Sequence, residues 1–179
     1  HLAAIPAPGL ATNGTTFANN IVATHNVFAA ARRAGIRNVV WASSETVLGL
    51  PFDTPPPYIP VDEEYAARPE SVYSLGKHLE ETMAVELCRW HPGLSVTALR
   101  FSNVMDVEDY AQFPSFDADP ALRRWNLWGY IDGRDGAQGE HDRDADADRD
   151  GRDEVHRDGD GEGERENGRV PAGRARDRG

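Results

Sequence analysis

The chain has 179 residues, a formal net charge of −11 and a single cysteine, Cys88. This length suffices for one domain with a sizeable core. The acidic balance argues against nucleic acid and anionic membranes as partners, because both are bound through basic patches. One cysteine cannot form an internal disulfide, and no Cys/His cluster has zinc-site spacing, so no metal is predicted. The opening residues resemble neither a signal peptide nor a membrane span, and a cytoplasmic protein is predicted.

The composition divides the chain into two parts. After Ile131 there is no Leu, Ile, Met, Phe, Tyr or Trp. A segment of this kind cannot bury enough apolar surface to offset the entropy lost on ordering. We therefore predict a folded part over residues 1–137 and a disordered tail rich in Asp, Arg, Gly and Glu over residues 138–179.

The first half of the folded part predicts a helix, a strand and an extended loop. The helix spans residues 16–35 and stops at a glycine. NVVWASS, residues 38–44, is a short β-branched run typical of a buried parallel strand. The prolines of FDTPPPYIP, residues 52–60, exclude a helix and predict a rigid extended segment. The apolar face of the helix is expected to consist of Phe17, Ile21, Thr24, Phe28 and Ala31.

The second half repeats this alternation. A helix is predicted over residues 71–90, followed by a buried strand, SVTALRF, over residues 95–101 and a last strand, NLWGYID, over residues 126–132. Strands and helices that alternate at this spacing predict a parallel α/β fold, whose ligand site lies at the carboxyl ends of the strands. The apolar stripe of this helix is expected to be Val72, Leu75, Leu79, Met83, Leu87 and Trp90.

Three polar side chains are expected to meet at that end of the sheet. Ser44 closes the first strand, and Tyr73 lies one helical turn before Lys77, the only lysine in the chain. A tyrosine with a pKa near 10 is a poor base at neutral pH, but a nearby cation and a hydroxyl bonded to the phenolate favour the charged form. Lysine suits this role as a compact point charge. The pattern favours a catalytic set over a surface Tyr–Lys pair at helical spacing.

Three stretches of the chain, in this order, resemble a known enzyme family. WASSETVLG (41–49), YSLGK (73–77) and LRFSNV (99–104) are similar to the extended short-chain dehydrogenase/reductases, the NAD-dependent epimerase/dehydratase family. The resemblance covers residues 1 to about 137. It implies a Rossmann-like parallel sheet with flanking helices, NAD or NADP as cofactor, a nucleotide-sugar or sugar substrate, and a homodimer formed through the two helices.

The resemblance also implies roles for individual residues. Ser44 is expected to position the substrate hydroxyl and Tyr73 to act as the general acid/base. Lys77 is expected to lower the pKa of that tyrosine and to hold the nicotinamide ribose. Asn103, with Ser44, is implied to contact substrate. Beyond Tyr73 and Lys77, cofactor contacts are implied for Leu2, Ala3, Ala4, Asn20 and Ser102.

The chain departs from the family pattern at several points. The Gly-rich dinucleotide turn and the first three strands of the family are not found in it, which predicts an incomplete cofactor domain. Glu45-Thr46 differs from the Asp-Glu pair of the sugar dehydratases, which disfavours dehydration and leaves epimerisation and net dehydrogenation open. A catalytically incomplete fragment and a non-enzymatic cofactor-sensing protein on the same fold are the alternative interpretations.

Overall fold

Two parallel strands and the two helices that cover them form the core of the chain. The structure is a computed structural model and describes residues 1–142. β1 and β2 pair in parallel along their whole length, and β3 and β4 form a second, short parallel pair. The elements are α1 (Asn13–Arg33), β1 (Asn38–Ser44), α2 (Val72–Trp90), β2 (Ser95–Phe101), β3 (Val104–Met105), α3 (Phe113–Phe116) and β4 (Ile131–Asp132).

The core lies between the helices and one face of the β1–β2 sheet. Phe28 of α1 packs edge-to-face against Trp41 of β1, with 6.1 Å between the ring centroids. Ala84 of α2 completes this buried cluster. Both helices therefore cover the same side of the sheet, and the predicted Rossmann-like parallel fold is confirmed.

Serine and threonine side chains set the first residues of both helices. The Thr12 hydroxyl accepts a hydrogen bond from the Thr15 amide, so α1 begins three residues earlier than predicted. At α2, the Ser71 hydroxyl accepts from the Ser74 amide while the Ser74 hydroxyl accepts from the Ser71 amide. This reciprocal capping box fixes the first turn of α2, which carries Tyr73.

The side of α2 that faces the sheet was predicted correctly only in part. Leu87 of the expected stripe packs against the core, whereas Leu79 and Trp90 are 40% and 58% exposed. The sheet instead receives a largely polar face, because the carboxyl end of β1 offers hydroxyl and carbonyl groups that apolar side chains cannot satisfy. The buried residues of α2 are Tyr73, Ser74, Gly76, Lys77, Glu80 and Ala84.

The expected face of α1 is confirmed only in its second half. Phe17 and Ile21 are half-buried. Thr16 and Asn20, at the same helical spacing, are buried in their place, and the Asn20 amide bonds to the backbone of Ile5. The buried residues of α1 are Thr16, Asn20, Thr24, Phe28 and Ala31.

The strand predicted over residues 126–132 is wrong for all but its last two residues. Residues Pro120–Asn126 form a 3₁₀ helix, and Leu127 and Trp128 then adopt φ angles of 52° and 60°. Such left-handed backbone cannot join a β-ladder. Pairing is therefore confined to Ile131–Asp132.

The predicted tail, residues 138–179, begins within the described part of the chain. Residues 133–142 are helical. The rest of the predicted tail, residues 143–179, lies outside the described residues.

Residues 52–60 form neither helix nor strand, as their prolines predict. Among residues 1–142, no helix combines the length and the apolar character needed to cross a bilayer.

The Glu81 carboxylate on α2 forms hydrogen bonds with both main strands. Glu81 Oε1 accepts from Ser43 Oγ on β1 at 2.6 Å and from Arg100 Nε on β2 at 2.9 Å. Its Oε2 accepts from Arg100 Nη2 at 2.8 Å. Burial by itself would raise the pKa of Glu81, but the bonds from Arg100 and Ser43 outweigh it and lower the pKa below the ordinary value.

The packing of Trp41 predicts a large loss of stability on truncation. Trp41 is 1% exposed, so Trp41→Ala is expected to lower the free energy of unfolding by about 3–5 kcal/mol. Trp90→Ala, the same substitution at a residue that is 58% exposed, is expected to change it by less than about 0.5 kcal/mol. Urea unfolding followed by circular dichroism measures both. Equal losses of unfolding free energy in the two variants would contradict the orientation of α2, which leaves Trp90 exposed.

The Glu81 bonds predict a contribution to stability that depends on pH. Because the folded pKa lies below the ordinary value of 4.5, this contribution is present above pH 4.5 and is lost as the pH falls through the folded pKa. Glu81→Gln is therefore expected to destabilise the chain at pH 7 and to reduce its further loss of stability in acid. Urea unfolding from pH 7 down to about pH 3 tests this, with Glu86→Gln on the surface of α2 as control. An unchanged acid dependence in Glu81→Gln would contradict it.

Candidate active site

Ser44 ends β1 and begins the turn that follows it. Its hydroxyl accepts from the Thr46 amide at 3.2 Å and bonds to Thr46 Oγ1 at 2.9 Å, which caps a 3₁₀ turn over Glu45–Leu48. Gly49, at φ 106°, closes this turn, and a Cβ there would lie 3.1 Å from the Arg68 carbonyl oxygen. The turn therefore holds the Ser44 side chain at the carboxyl end of the sheet, as predicted.

Tyr73 lies beside Ser44 on the first turn of α2. Its side chain is buried, and burial raises the pKa of its hydroxyl above the ordinary value of 10.0. The Ser44 hydroxyl acts in the opposite direction, as expected of a donor to the phenolate, and the negative charge of Glu80 raises the pKa further. The predicted Ser–Tyr pair is thus brought together, with the phenol in its neutral form at neutral pH.

Lys77 bonds to β1 and to a carboxylate on its own helix. Its Nζ donates to the Ala42 carbonyl oxygen at 2.9 Å and to Glu80 Oε2 at 3.3 Å. The ammonium also lies 5.0 Å from the centre of the Trp41 ring. The side chain is thus held at the carboxyl end of the sheet, one helical turn from Tyr73.

A second polar cluster lies at the carboxyl end of β2. Ser102, predicted to contact cofactor, has a buried hydroxyl without a hydrogen-bond partner of normal geometry among the described residues. Glu45 is close to it, and burial raises the pKa of that carboxyl group. The backbone of Gly129 approaches both closely, since a Cβ there would lie 3.1 Å from Ser102 Oγ and 3.7 Å from Glu45 Oε2. Asn103 accepts from the Ile131 amide through its backbone carbonyl, which joins β3 to β4.

The opening residues extend the sheet beyond β1. The His1 amine donates to the Val40 carbonyl oxygen at 2.7 Å, and the Ala42 amide donates to the His1 carbonyl oxygen. The chain therefore continues past the carboxyl end of the sheet with Leu2, Ala3 and Ala4. Leu2 and Ala3 are exposed there.

Asn20 is buried on α1, and its amide is already used. Its Oδ1 accepts from the Ile5 amide at 2.8 Å, and its Nδ2 donates to the Ile5 carbonyl oxygen at 3.0 Å. The side chain predicted to contact cofactor thus anchors the opening segment in this structure.

The sequence analysis did not predict two carboxylates as site residues. Glu80 occurs within the pair Glu80-Glu81, which reads as a solvated helix surface, and Glu45 was considered only as a departure from the Asp-Glu pair of the sugar dehydratases. A signal for Glu80 exists in its spacing, because it lies three residues after the single lysine and can reach it on the same helical face.

Solved structures of nucleotide-sugar epimerases are similar to this chain. UDP-N-acetylglucosamine 4-epimerase from Methanobrevibacter ruminantium M1, in complex with UDP-N-acetylmuramic acid, is 31% identical over 59% of this chain, with a TM-score of 0.51. A UDP-galactose 4-epimerase is 34% identical over 66% of it, also with a TM-score of 0.51. A short-chain dehydrogenase/reductase superfamily protein from Agrobacterium tumefaciens with bound NAD is 28% identical over 69%, again with a TM-score of 0.51.

The similarity covers a limited share of these proteins and most of this chain. The matched regions span 33%, 40% and 42% of the three solved chains. No curated protein is significantly similar to the sequence. The profile of the NAD dependent epimerase/dehydratase family matches residues 1–125, which is more than half of the 179 residues. The chain belongs to the NAD dependent epimerase/dehydratase family.

Proposed function

We propose that this chain carries the proton-transfer side of a NAD-dependent epimerase or dehydrogenase that acts on the sugar of a nucleotide sugar. The observation that carries the proposal is the buried pair of hydroxyls, Ser44 and Tyr73, at the carboxyl end of a parallel sheet. Membership of the family and the UDP-sugar epimerases among its structural neighbours support the substrate class.

The residues around this pair fit the nicotinamide end of NAD. The Ser102 hydroxyl is buried beside the Glu45 carboxyl group without a hydrogen bond of normal geometry, and the backbone of Gly129 approaches both closely. We propose that Ser102, Tyr73, Lys77 and the backbone of residues 2–4 hold this end of the cofactor, with Asn20 acting through Ile5. When bound, NAD accepts a hydride from a sugar carbon or returns one to it.

Tyr73 is the proposed general acid/base. Because its pKa is raised, the phenol carries its proton at neutral pH and can donate it to the oxygen of a keto sugar. Ser44, held by the 3₁₀ turn, orients the same oxygen, and Asn103 is the second proposed contact to the substrate. Removal of a proton from a sugar hydroxyl is the reverse of this transfer, so one site serves both halves of an epimerisation.

Lys77 is proposed to bind a ribose hydroxyl of the cofactor. An ammonium has three N–H donors, and two of them are used by Ala42 and Glu80. One donor is left for a ligand, so the side chain can contact a ribose without leaving its buried position.

Tyr73→Phe tests the assignment of the acid/base. The variant is expected to lose about 10²–10⁴-fold in turnover of UDP-galactose or UDP-N-acetylglucosamine, because the proton donor is gone. NAD affinity, measured by calorimetry, is expected to stay nearly unchanged. Tyr58→Phe, the same substitution on an exposed loop, is the matched control and is expected to keep full activity.

Two results would contradict this proposal. Retention of most of the turnover by Tyr73→Phe would remove Tyr73 from the mechanism. Absence of NAD binding by the wild-type chain would favour the interpretation as an incomplete or non-enzymatic member of the family.

We further propose that the chain forms a homodimer through α1 and α2. The two helices pack side by side, and apolar side chains on their outer surface are exposed: Val22 on α1, and Leu75, Leu79 and Val85 on α2. Contiguous exposed apolar strips usually mark an interface. A two-fold arrangement would bury the same strip on both copies.

Leu79→Glu is expected to shift the chain from dimer to monomer, because a carboxylate cannot be buried in an apolar interface without a partner. Sedimentation velocity measures the change. Leu122→Glu, at an exposed leucine outside both helices, is the control and is expected to leave the dimer intact. A wild-type monomer, or equal effects of the two substitutions, would contradict the interface.

A further inference from the structure

A buried ion pair lies directly behind the Ser44–Tyr73 pair. Lys77 and Glu80 have side chains that are 3% and 0% exposed, and Lys77 Nζ lies 3.3 Å from Glu80 Oε2. The second donor bond of the ammonium goes to the Ala42 carbonyl oxygen at 2.9 Å, two residues before Ser44. The lysine is therefore attached both to the strand that ends in the site and to the helix that carries Tyr73.

Burial of a lone lysine favours its neutral amine. Desolvation lowers the pKa of Lys77, and the negative charge of Glu80 is the largest effect in the opposite direction. The face of the Trp41 ring, 5.0 Å away, adds a weaker attraction for the cation. Glu80 is thus the main group that compensates the charge of the ammonium.

The environment of the pair contains few other charges. The Thr24 hydroxyl of α1 faces Glu80 and lies 3.4 Å from Nε2 of the His1 ring, and the facing part of β1 contributes Trp41 and a backbone carbonyl. Glu80 Oε1 is buried without a hydrogen-bond partner among the described residues. The remaining titratable groups nearby lie on α2 and are Tyr73 and Glu81.

We propose that Glu80 is a positioning residue that keeps the Lys77 amine protonated and fixed at the carboxyl end of β1. A neutral amine would lose the attraction of both Glu80 and the Trp41 ring, and its side chain would be free to leave the Ala42 carbonyl. The contact of Lys77 with NAD rests on the function proposed above, whereas the charge and position of the amine do not.

The single lysine of the sequence makes this proposal directly measurable. A chain labelled with [ε-¹³C]lysine gives one lysine resonance, whose shift against pH reports the pKa of Lys77 alone. Glu80→Gln keeps the shape of the side chain and removes its charge, and is expected to lower that pKa by about 1–3 pH units. Glu86→Gln, the same substitution on the exposed side of α2, is the control and is expected to leave the resonance unchanged.

A change below about 0.5 pH unit in Glu80→Gln would overturn the proposal, because a merely structural carboxylate leaves the lysine pKa in place. If Glu80→Gln does not fold, Glu80→Asp replaces it. This variant withdraws the carboxylate by one methylene and is expected to lower the pKa in the same direction by a smaller amount. No fall in the Asp variant would equally overturn the proposal.

NAD binding separates this inference from the proposed function. If Lys77 binds the ribose as an ammonium, NAD affinity measured by calorimetry should fall as the pH rises through the lysine pKa, and at a lower pH in Glu80→Gln. A lysine pKa that shifts while NAD affinity shows no such dependence would remove Lys77 from the cofactor site. That result would leave the role of Glu80 intact.

Discussion

The buried pair of Lys77 and Glu80 constrains the orientation of α2. Burying either charge alone is far more costly than burying the pair, because an unpaired ion loses its hydration without compensation. Both charges lie on one side of α2. That side must therefore contact groups that accept hydrogen bonds from an ammonium or attract its charge. The Ala42 carbonyl oxygen and the Trp41 ring on β1 supply them. Leu75 and Leu79 consequently point outward, although their spacing alone favours the reverse.

The strands were predictable because short-range chemistry defines them. The runs at residues 38–44 and 95–101 form strands with the predicted limits, but β2, predicted to be buried, consists of half-buried and exposed residues. The strand expected over residues 126–132 failed because the side-chain pattern does not report backbone φ angles. Leu127 and Trp128 are apolar residues in left-handed conformations, which only the surrounding structure imposes.

The buried side of α2 was predicted only in part, because helical periodicity considers where apolar residues lie and not which chemical groups the facing strand presents. The same limit applies to the site. Ser44 and Tyr73 could be identified from residue type and strand position, and the structure brings them together. The partner of Lys77 could not be identified from the sequence, because Glu80 and Glu81 are adjacent residues of the same type. Successive residues point about 100° apart around a helix, so one carboxylate reaches the lysine and the other reaches Arg100.

The charge balance of the pair also decides which proton transfer the site is ready to perform. Burial raises the pKa of Tyr73, and the negative charge of Glu80 raises it further. The phenol therefore keeps its proton, which suits donation to a keto oxygen. The carboxylate that holds Lys77 in place thus also favours the protonated form of Tyr73.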